Sequence, residues 1–470
     1  MDIEVALKLA IELIVTQTGR PLNDLAIAIL RGALQGKTFC EIAELYCCDE
    51  SHAKRVSSNL CKYLSTALGV EIGKKNLRSA LEQHLRFEGH TFEPISVQDQ
   101  VAKSFALPEK IAPVRNWVGR TQELQTLKSQ ILNPNTRAIT ITAVCLVGLA
   151  GIGKTTLASK LVRELQVNNA PFVAAAWESL RSITGKPPRF DSIIDSLLFS
   201  LSCGSISATD IILDDYFQKT ARLVQQLKNQ PCLIVLDNVE TVLTAKLAHK
   251  AGYFACEYAE YAWLFQQLAE IEHQSKVIFT SRETLAQLPR GQTHTLQLGG
   301  LNLEDAIALL QSFALTTTPE EFATLAQRYE GHPKALELVT AVIHEDFQGE
   351  VGRFLQDRKW LLIRDLESLI DEVINRLSQE EYACLGQVSV YQTSEYPLTS
   401  SAIASQMPDV SKRHLKENII LALKRRQLLD YDSQGDFYQM HPLVQEKASY
   451  LLDIESYRTA HRKAITTSFS

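Results

Sequence analysis

The sequence predicts a multidomain α/β chain: a parallel sheet carrying a phosphate-binding loop, with helical domains on both sides of it in the chain. Three observations predict this. Residues 144–156 read Val-Cys-Leu-Val-Gly-Leu-Ala-Gly-Ile-Gly-Lys-Thr-Thr, and Gly148, Gly153, Lys154 and Thr155 fit G-x-x-x-x-G-K-[ST]. Residues 116–300 alternate apolar strand-like runs with helical patterns, the rhythm of a parallel sheet. Residues 1–90 and 301–470 are mostly helical in pattern, with one hairpin near 428–440.

The 470 residues allow roughly three or four domains. A hydrophobic content of 45% and a charged content of 22% are those of ordinary globular protein. A net charge of −6 gives no global attraction to nucleic acid, although a local patch can still provide one. No run of about 18 uninterrupted apolar residues occurs, so no transmembrane helix is expected. Met1-Asp-Ile-Glu-Val-Ala lacks the basic start and cleavage site of a signal peptide, so a cytoplasmic location with no membrane partner is expected. The nine cysteines form no C-x-x-C pair, and Cys145 and Cys232 sit in apolar runs, as small hydrophobes of a reduced protein do.

Residues 1–90 contain a helix-turn-helix pattern between Gly36 and Leu60. Ile42, Ala43 and Tyr46 give the first helix an apolar face, and Asp49 or Ser51 caps the second. Val56, Leu60, Leu64 and Leu68 line the buried side of that second helix, leaving His52, Lys54, Arg55, Ser58 and Lys62 outside. From Lys37 to Arg86 eight basic residues face six acidic ones, a small excess in an otherwise acidic chain. If this segment binds DNA, Ser51, His52, Lys54 and Arg55 are the candidates for reaching base edges. An adaptor that pairs with like domains fits the same pattern equally well. Residues 91–115 hold three prolines and read as a linker.

In the central segment, Ala138 to Val147 supplies a buried strand and Leu157 to Leu165 a helix with an apolar stripe. The glycines between them let backbone N–H groups turn inward around a phosphate, and the helix N-terminus adds partial positive charge. Lys154 is the candidate for the β- and γ-phosphates and Thr155 for Mg²⁺. A second apolar strand, ending Leu-Ile-Val-Leu-Asp, delivers Asp237 where ligands bind in open parallel sheets, as the second group for the metal. Asn238 follows where many such ATPases carry a carboxylate, and an amide cannot accept a proton from the attacking water. Slow hydrolysis is expected unless Glu240 substitutes. A third strand, Lys276-Val-Ile-Phe-Thr-Ser-Arg, ends on Arg282, a candidate for the γ-phosphate. Further on, two short alternating runs flank the turn Ser433 to Asp436, and Pro442 suits the first position of a helix over Leu443–Leu452. His441 therefore lies where a strand hands over to a helix.

With these motifs in order, the chain resembles the NB-ARC branch of the STAND nucleotide-switch ATPases. Asn116 to Leu124 resembles the hydrophobic-Gly-Arg segment that covers the adenine, with Val118 and Arg120 at the matching positions. Gly148 to Thr156 match the phosphate loop, which implies nucleotide contacts at Gly148, Gly151, Ile152, Gly153, Lys154, Thr155 and Thr156. Leu233 to Asn238 match the metal strand and Thr280 to Arg282 the sensor. Gly331 to Leu338 resembles the Gly-x-Pro motif, implying that Pro333 packs on adenine. Gln439 to Leu443 resembles the Met-His-Asp motif, implying a contact from His441 to the ADP β-phosphate, although Pro442 stands where that motif has Asp.

The resemblance implies a P-loop NTPase domain over residues 116–300, a helical domain over 301–362 and a winged-helix domain over 363–470. It implies ATP or ADP with Mg²⁺, with Lys154, Asp237 and Arg282 acting on the phosphates and Thr155 and Asp237 on the metal. It further implies an ADP-locked resting state and self-assembly on ATP exchange, set off by a protein trigger or partner whose nature is open. The N-terminal block also resembles the sigma-factor-like helix-turn-helix of bacterial regulators. A DNA-binding transcription regulator controlled by its ATPase module is therefore the competing expectation. A conventional ATP-driven motor is disfavoured by Asn238 and by the lack of a recognisable second motor domain.

Overall fold

In the computed structural model the chain divides into two compact units, Met1–Gln100 and Val101–Ser470. The structure describes residues 105–132 and 143–468, apart from 169, 183, 290, 358–360, 392–396 and most of 203–213; before residue 105 it describes positions 50–68 and scattered residues between 7 and 81.

In the first unit, helix α1 (Glu50–Leu68) is the element described in full. Leu60 and Leu64 are buried, and Cys61 beside them joins a core that includes Leu7, Ile14, Leu30, Leu34 and Leu77. Ser58 and Lys62 are exposed, as the helical periodicity requires. Ser51, His52, Lys54 and Arg55 lie in the first turn and a half of α1. The first helix of the expected pair, with Ile42, Ala43 and Tyr46, and residues 91–104 of the linker lie outside the described residues.

The second unit is built on five parallel strands: β1 (Ala143–Val147), β2 (Ala174–Ser179), β3 (Cys232–Asp237), β4 (Lys276–Ser281) and β5 (Thr293–Gln297). Their order is β2-β3-β4-β1-β5. Alternate residues feed two cores. Val144, Leu146, Leu233, Val235 and Ile278 pack on one face against α2 (Thr121–Leu132) and α3 (Lys154–Val167). Cys145, Val147, Ile234, Leu236 and Phe279 pack on the other, against α4 (Phe190–Leu201), α5 (Tyr216–Asn229) and α6 (Ala259–Glu270). Burial on both faces is why these strands read as near-continuous apolar runs. The order sets β1, β3 and β4 among neighbours, so the C-terminal ends carrying the phosphate loop, Asp237 and Arg282 adjoin.

Residues 105–115 correct the linker reading. They form no helix or strand, yet they pack against the sheet unit. Phe105 is buried edge-on to Phe172 with ring centroids 6.4 Å apart, Lys110 Nζ lies 2.6 Å from Glu178 Oε1, and Ser159 donates to the Ala112 carbonyl. The prolines there keep the chain extended rather than free.

The rest is helical: α7 (Leu303–Gln311), α8 (Pro319–Arg328), α9 (Pro333–Phe347), α10 (Val351–Asp357), α11 (Arg364–Ile374), α12 (Gln379–Val388) and α13 (Ser400–Gln406). A further helix runs Lys412–His414, widens into a π turn at Leu415–Ile420 and continues over Leu421–Arg425. The hairpin β6 (Asp430–Asp432) and β7 (Phe437–Gln439) leads into α14 (Pro442–Ser449) and α15 (Ile454–Ser468). The hairpin strands are shorter than their alternating runs, because pairing stops after three residues. One apolar core runs from Ala306 to Ala464 without a break at residue 362, and Leu149 of the phosphate loop is part of it.

Candidate functional site

Strand β1 ends at Val147 and the chain turns through Gly148–Gly153 into α3. Gly151 (φ 77°) and Gly153 (φ 101°) adopt left-handed backbone that side chains resist. A Cβ on Gly148 would come 2.7 Å from the Leu298 carbonyl oxygen, so that position is closed to side chains by the residue that follows β5. Gly153 caps α3 without a side-chain acceptor, leaving the first N–H groups of the helix for an anion.

Lys154 is buried inside this loop, its Nζ donating to the carbonyls of Gly148 (2.8 Å) and Leu149 (2.7 Å). Burial lowers its pKa to about 8, with Glu240 opposing and Arg282 reinforcing that shift. Thr155 Oγ1 donates to Asp237 Oδ1 at 2.8 Å, and Thr280 Oγ1 donates to the same oxygen. Burial pushes the Asp237 carboxyl above its ordinary range, while the two hydroxyl bonds pull it back. The hydroxyl and carboxylate are hard oxygen donors, already adjacent at the base of the loop, and fit a Mg²⁺ ion.

Arg282 follows β4 and is held by two carboxylates. Its Nε lies 3.2 Å from Glu240 Oε1, its N–H donates to Glu240 Oε2 (3.1 Å), and its guanidinium pairs with Glu372 on α11. Arg181, just beyond β2, pairs with the same Glu372 at 2.6 Å. Glu240 is therefore committed to Arg282 and does not line the cavity. Asn238 does line it, with left-handed backbone (φ 62°), its N–H on Thr280 Oγ1 and its amide oxygen accepting from Ser179 at 3.3 Å.

A cavity of about 530 Å³ opens over the loop. Of the residues singled out in the sequence, Val118, Arg120, Gly151, Ile152, Gly153, Lys154, Thr155, Thr156, Arg282 and Pro333 line it. Arg120 is buried and braces the site, donating to the carbonyls of Ile152 (3.2 Å) and Gly299 (2.6 Å). Leu301, Leu309 and Phe313 give the wall near Pro333 an apolar surface. Gly148 and Asp237 sit behind the lining rather than in it.

His441 is not among the lining residues. Between it and the loop stands His332, which the sequence reading passed over. His332 Nδ1 accepts from the Ala335 N–H (3.2 Å), so Nε2 carries the hydrogen and donates to the Ala150 carbonyl at 2.9 Å. His441 packs edge-on against His332, with ring centroids 5.6 Å apart. Its Nδ1 accepts from Leu443 N–H, which leaves Nε2–H largely buried and unpaired; Glu330 Oε2 is 3.8 Å away, beyond hydrogen-bond reach. Burial keeps both rings neutral, lowering His332 to about 4 and His441 to about 3. Reasoning from sequence also missed Phe313, Lys334, Glu337, Glu372 and Arg181. His332 and Lys334 flank Pro333 and were within reach of the motif, whereas Glu372 and Phe313 lie in stretches with no local pattern.

Residues 1–84 match the family of vWA-MoxR associated protein N-terminal helix-turn-helix domains, and residues 116–251 match the AAA ATPase domain family. An uncharacterized WD repeat-containing protein of Nostoc sp. is 29% identical over 351 residues, which cover 72% of this chain. The chain spans 26% of the length of that relative. Among solved structures, a STAND protein with a tetratricopeptide repeat sensor from Pyrococcus horikoshii is 22% identical, covering 77% of this chain and 47% of that one at a TM-score of 0.33. The Aeropyrum pernix ORC2 protein is 14% identical, covering 78% of this chain and 99% of that one at a TM-score of 0.41. The chain thus joins an N-terminal helix-turn-helix segment over residues 1–84 to an AAA-type P-loop ATPase segment over residues 116–251.

Proposed function

We propose that this protein is an ADP/ATP-controlled signalling switch of the NB-ARC kind, ADP-bound and closed at rest, and assembling when ATP replaces ADP. The observation that carries this reading is the composition of the cavity wall. Lys154, Thr155 and Thr156 line it from the sheet side, and Pro333, Lys334 and Glu337 of α9, with Phe313 of the turn after α7, line it from the helical part that follows the sheet. A nucleotide in that cavity touches both parts and holds them together.

Lys154 leaves the Gly148 and Leu149 carbonyls to pair with phosphate oxygens. Thr155 and Asp237 are the residues that would hold Mg²⁺, which neutralises phosphate charge when bound. Val118, Leu309, Phe313 and Pro333 cover the base. Arg282 is engaged by Glu372 in the arrangement described, so a γ-phosphate has to compete with that carboxylate for the same guanidinium. Asn238 cannot act as general base and Glu240 is tied to Arg282, which favours slow hydrolysis and a long-lived signal. His441 acts from behind His332, through helix α9, in this reading.

The test is the assembly state of the full chain by size-exclusion chromatography with light scattering. ADP with Mg²⁺ gives one compact species; a non-hydrolysable ATP analogue with Mg²⁺ gives a larger assembly. The same mass in both sinks the switch. The helix-turn-helix match supports a second reading, a DNA-binding regulator gated by the ATPase domain, with Ser51, His52, Lys54 and Arg55 at the duplex. A salt-dependent shift of duplex DNA that changes with nucleotide is its signature.

A further inference from the structure

We infer that Lys334 is a second phosphate-binding lysine, supplied from the helical side of the cavity, and that it makes the site selective for nucleotides carrying a β-phosphate. This inference rests on the reading of the cavity as a nucleotide site. Lys334 is the second residue of α9 and lines the cavity together with Gly151, Gly153 and Lys154. A Cβ added to Gly151 would lie 2.7 Å from Lys334 Cβ and 3.2 Å from its Cγ. The lysine stem therefore lies directly on the phosphate loop at Gly151.

This placement is fixed by more than one contact. His332, the residue that caps α9, donates to the Ala150 carbonyl of the loop and accepts from Ala335 N–H. Leu149 of the loop is packed into the same apolar core as α9. The start of α9 and the phosphate loop are thus one packed piece, and the flexible part of Lys334 is its outer stem.

The ammonium of Lys334 lies 3.0 Å from Glu337 Oε1, one turn along the helix, with both side chains well exposed. An exposed i,i+3 pair of this kind is weak. A phosphate chain brings more negative charge than one carboxylate, so Lys334 exchanges Glu337 for it readily. Glu337 then serves as the resting partner that keeps the lysine over the cavity.

The experiment is calorimetric titration of the full chain, freed beforehand of any co-purified nucleotide, with ADP and with AMP, both with Mg²⁺, comparing wild type with Lys334→Met, Lys334→Arg and Lys154→Ala. Methionine keeps the apolar stem over Gly151 and removes the charge. The expected result is that Lys334→Met weakens ADP about ten- to a hundredfold, the worth of a charge-assisted contact. AMP changes less than twofold, and Lys334→Arg retains most of the ADP affinity. Unchanged ADP binding in Lys334→Met, or an equal loss for ADP and AMP, overturns the inference while leaving the nucleotide site intact. Wild type that binds neither ligand, indistinguishable from Lys154→Ala, removes the nucleotide reading itself.

Discussion

Lys154 shows how far a residue-level reading reaches. Its place in the loop was legible from residues 148–156 alone, because the motif is contiguous and each glycine has a backbone reason to be there. Its protonation was not legible, because that depends on burial. In the ligand-free loop its pKa is about 8, and an anion at the ammonium raises it. Binding therefore takes up a proton above that pH. ADP affinity measured by calorimetry is expected to be flat below about pH 8 and to fall by up to tenfold per unit above it. A profile that stays flat to pH 9.5 contradicts the buried, partly neutral lysine. The histidines teach the opposite lesson. His441 was conspicuous in the sequence and sits behind the cavity, while His332 was inconspicuous and bonds the loop directly. Only packing tells the two apart, since each is followed by proline and each caps a helix with Nδ1.

At the scale of elements, the strands were readable because a parallel sheet buried on both faces writes unbroken apolar runs. The strap at 105–115 was misread, because proline-rich extended chain looks the same in sequence whether it is free or packed. The π turn at Leu415–Ile420 left no signal either. The element that ties the hairpin side to the sheet is an ion cluster that no spacing rule anticipates. Arg426, fully buried, pairs with Glu283 (2.8 Å) beyond β4 and with Glu381 (2.7 Å) on α12, and Arg376 pairs with the same Glu283. Removing the arginine strands the buried Glu381 and leaves the buried Glu283 with Arg376 alone. Arg426→Ala is expected to cost about 3–5 kcal/mol of unfolding free energy in a denaturant titration. A loss under about 1 kcal/mol would mean that the cluster is not the tie it looks like.

At the scale of the whole molecule, a two-state protein needs contacts that differ between its states. Shifting a population from 1:99 to 99:1 takes roughly 5.5 kcal/mol of differential binding, within the range of several charge-assisted phosphate contacts. Glu372 is where the two sides compete, since it holds both Arg181 and Arg282 from α11. Glu372→Ala is expected to lower the concentration of ATP analogue needed for assembly; an unchanged midpoint in a light-scattering titration argues that the pair is incidental. In the proposed switch ADP is part of the resting molecule. The measurement that tests it most directly is the nucleotide content of purified protein, released by denaturation and resolved by ion exchange, beside Lys154→Ala. The switch predicts close to one ADP per wild-type chain and none in the variant. Wild type that is empty, or that carries as much as the variant, contradicts it.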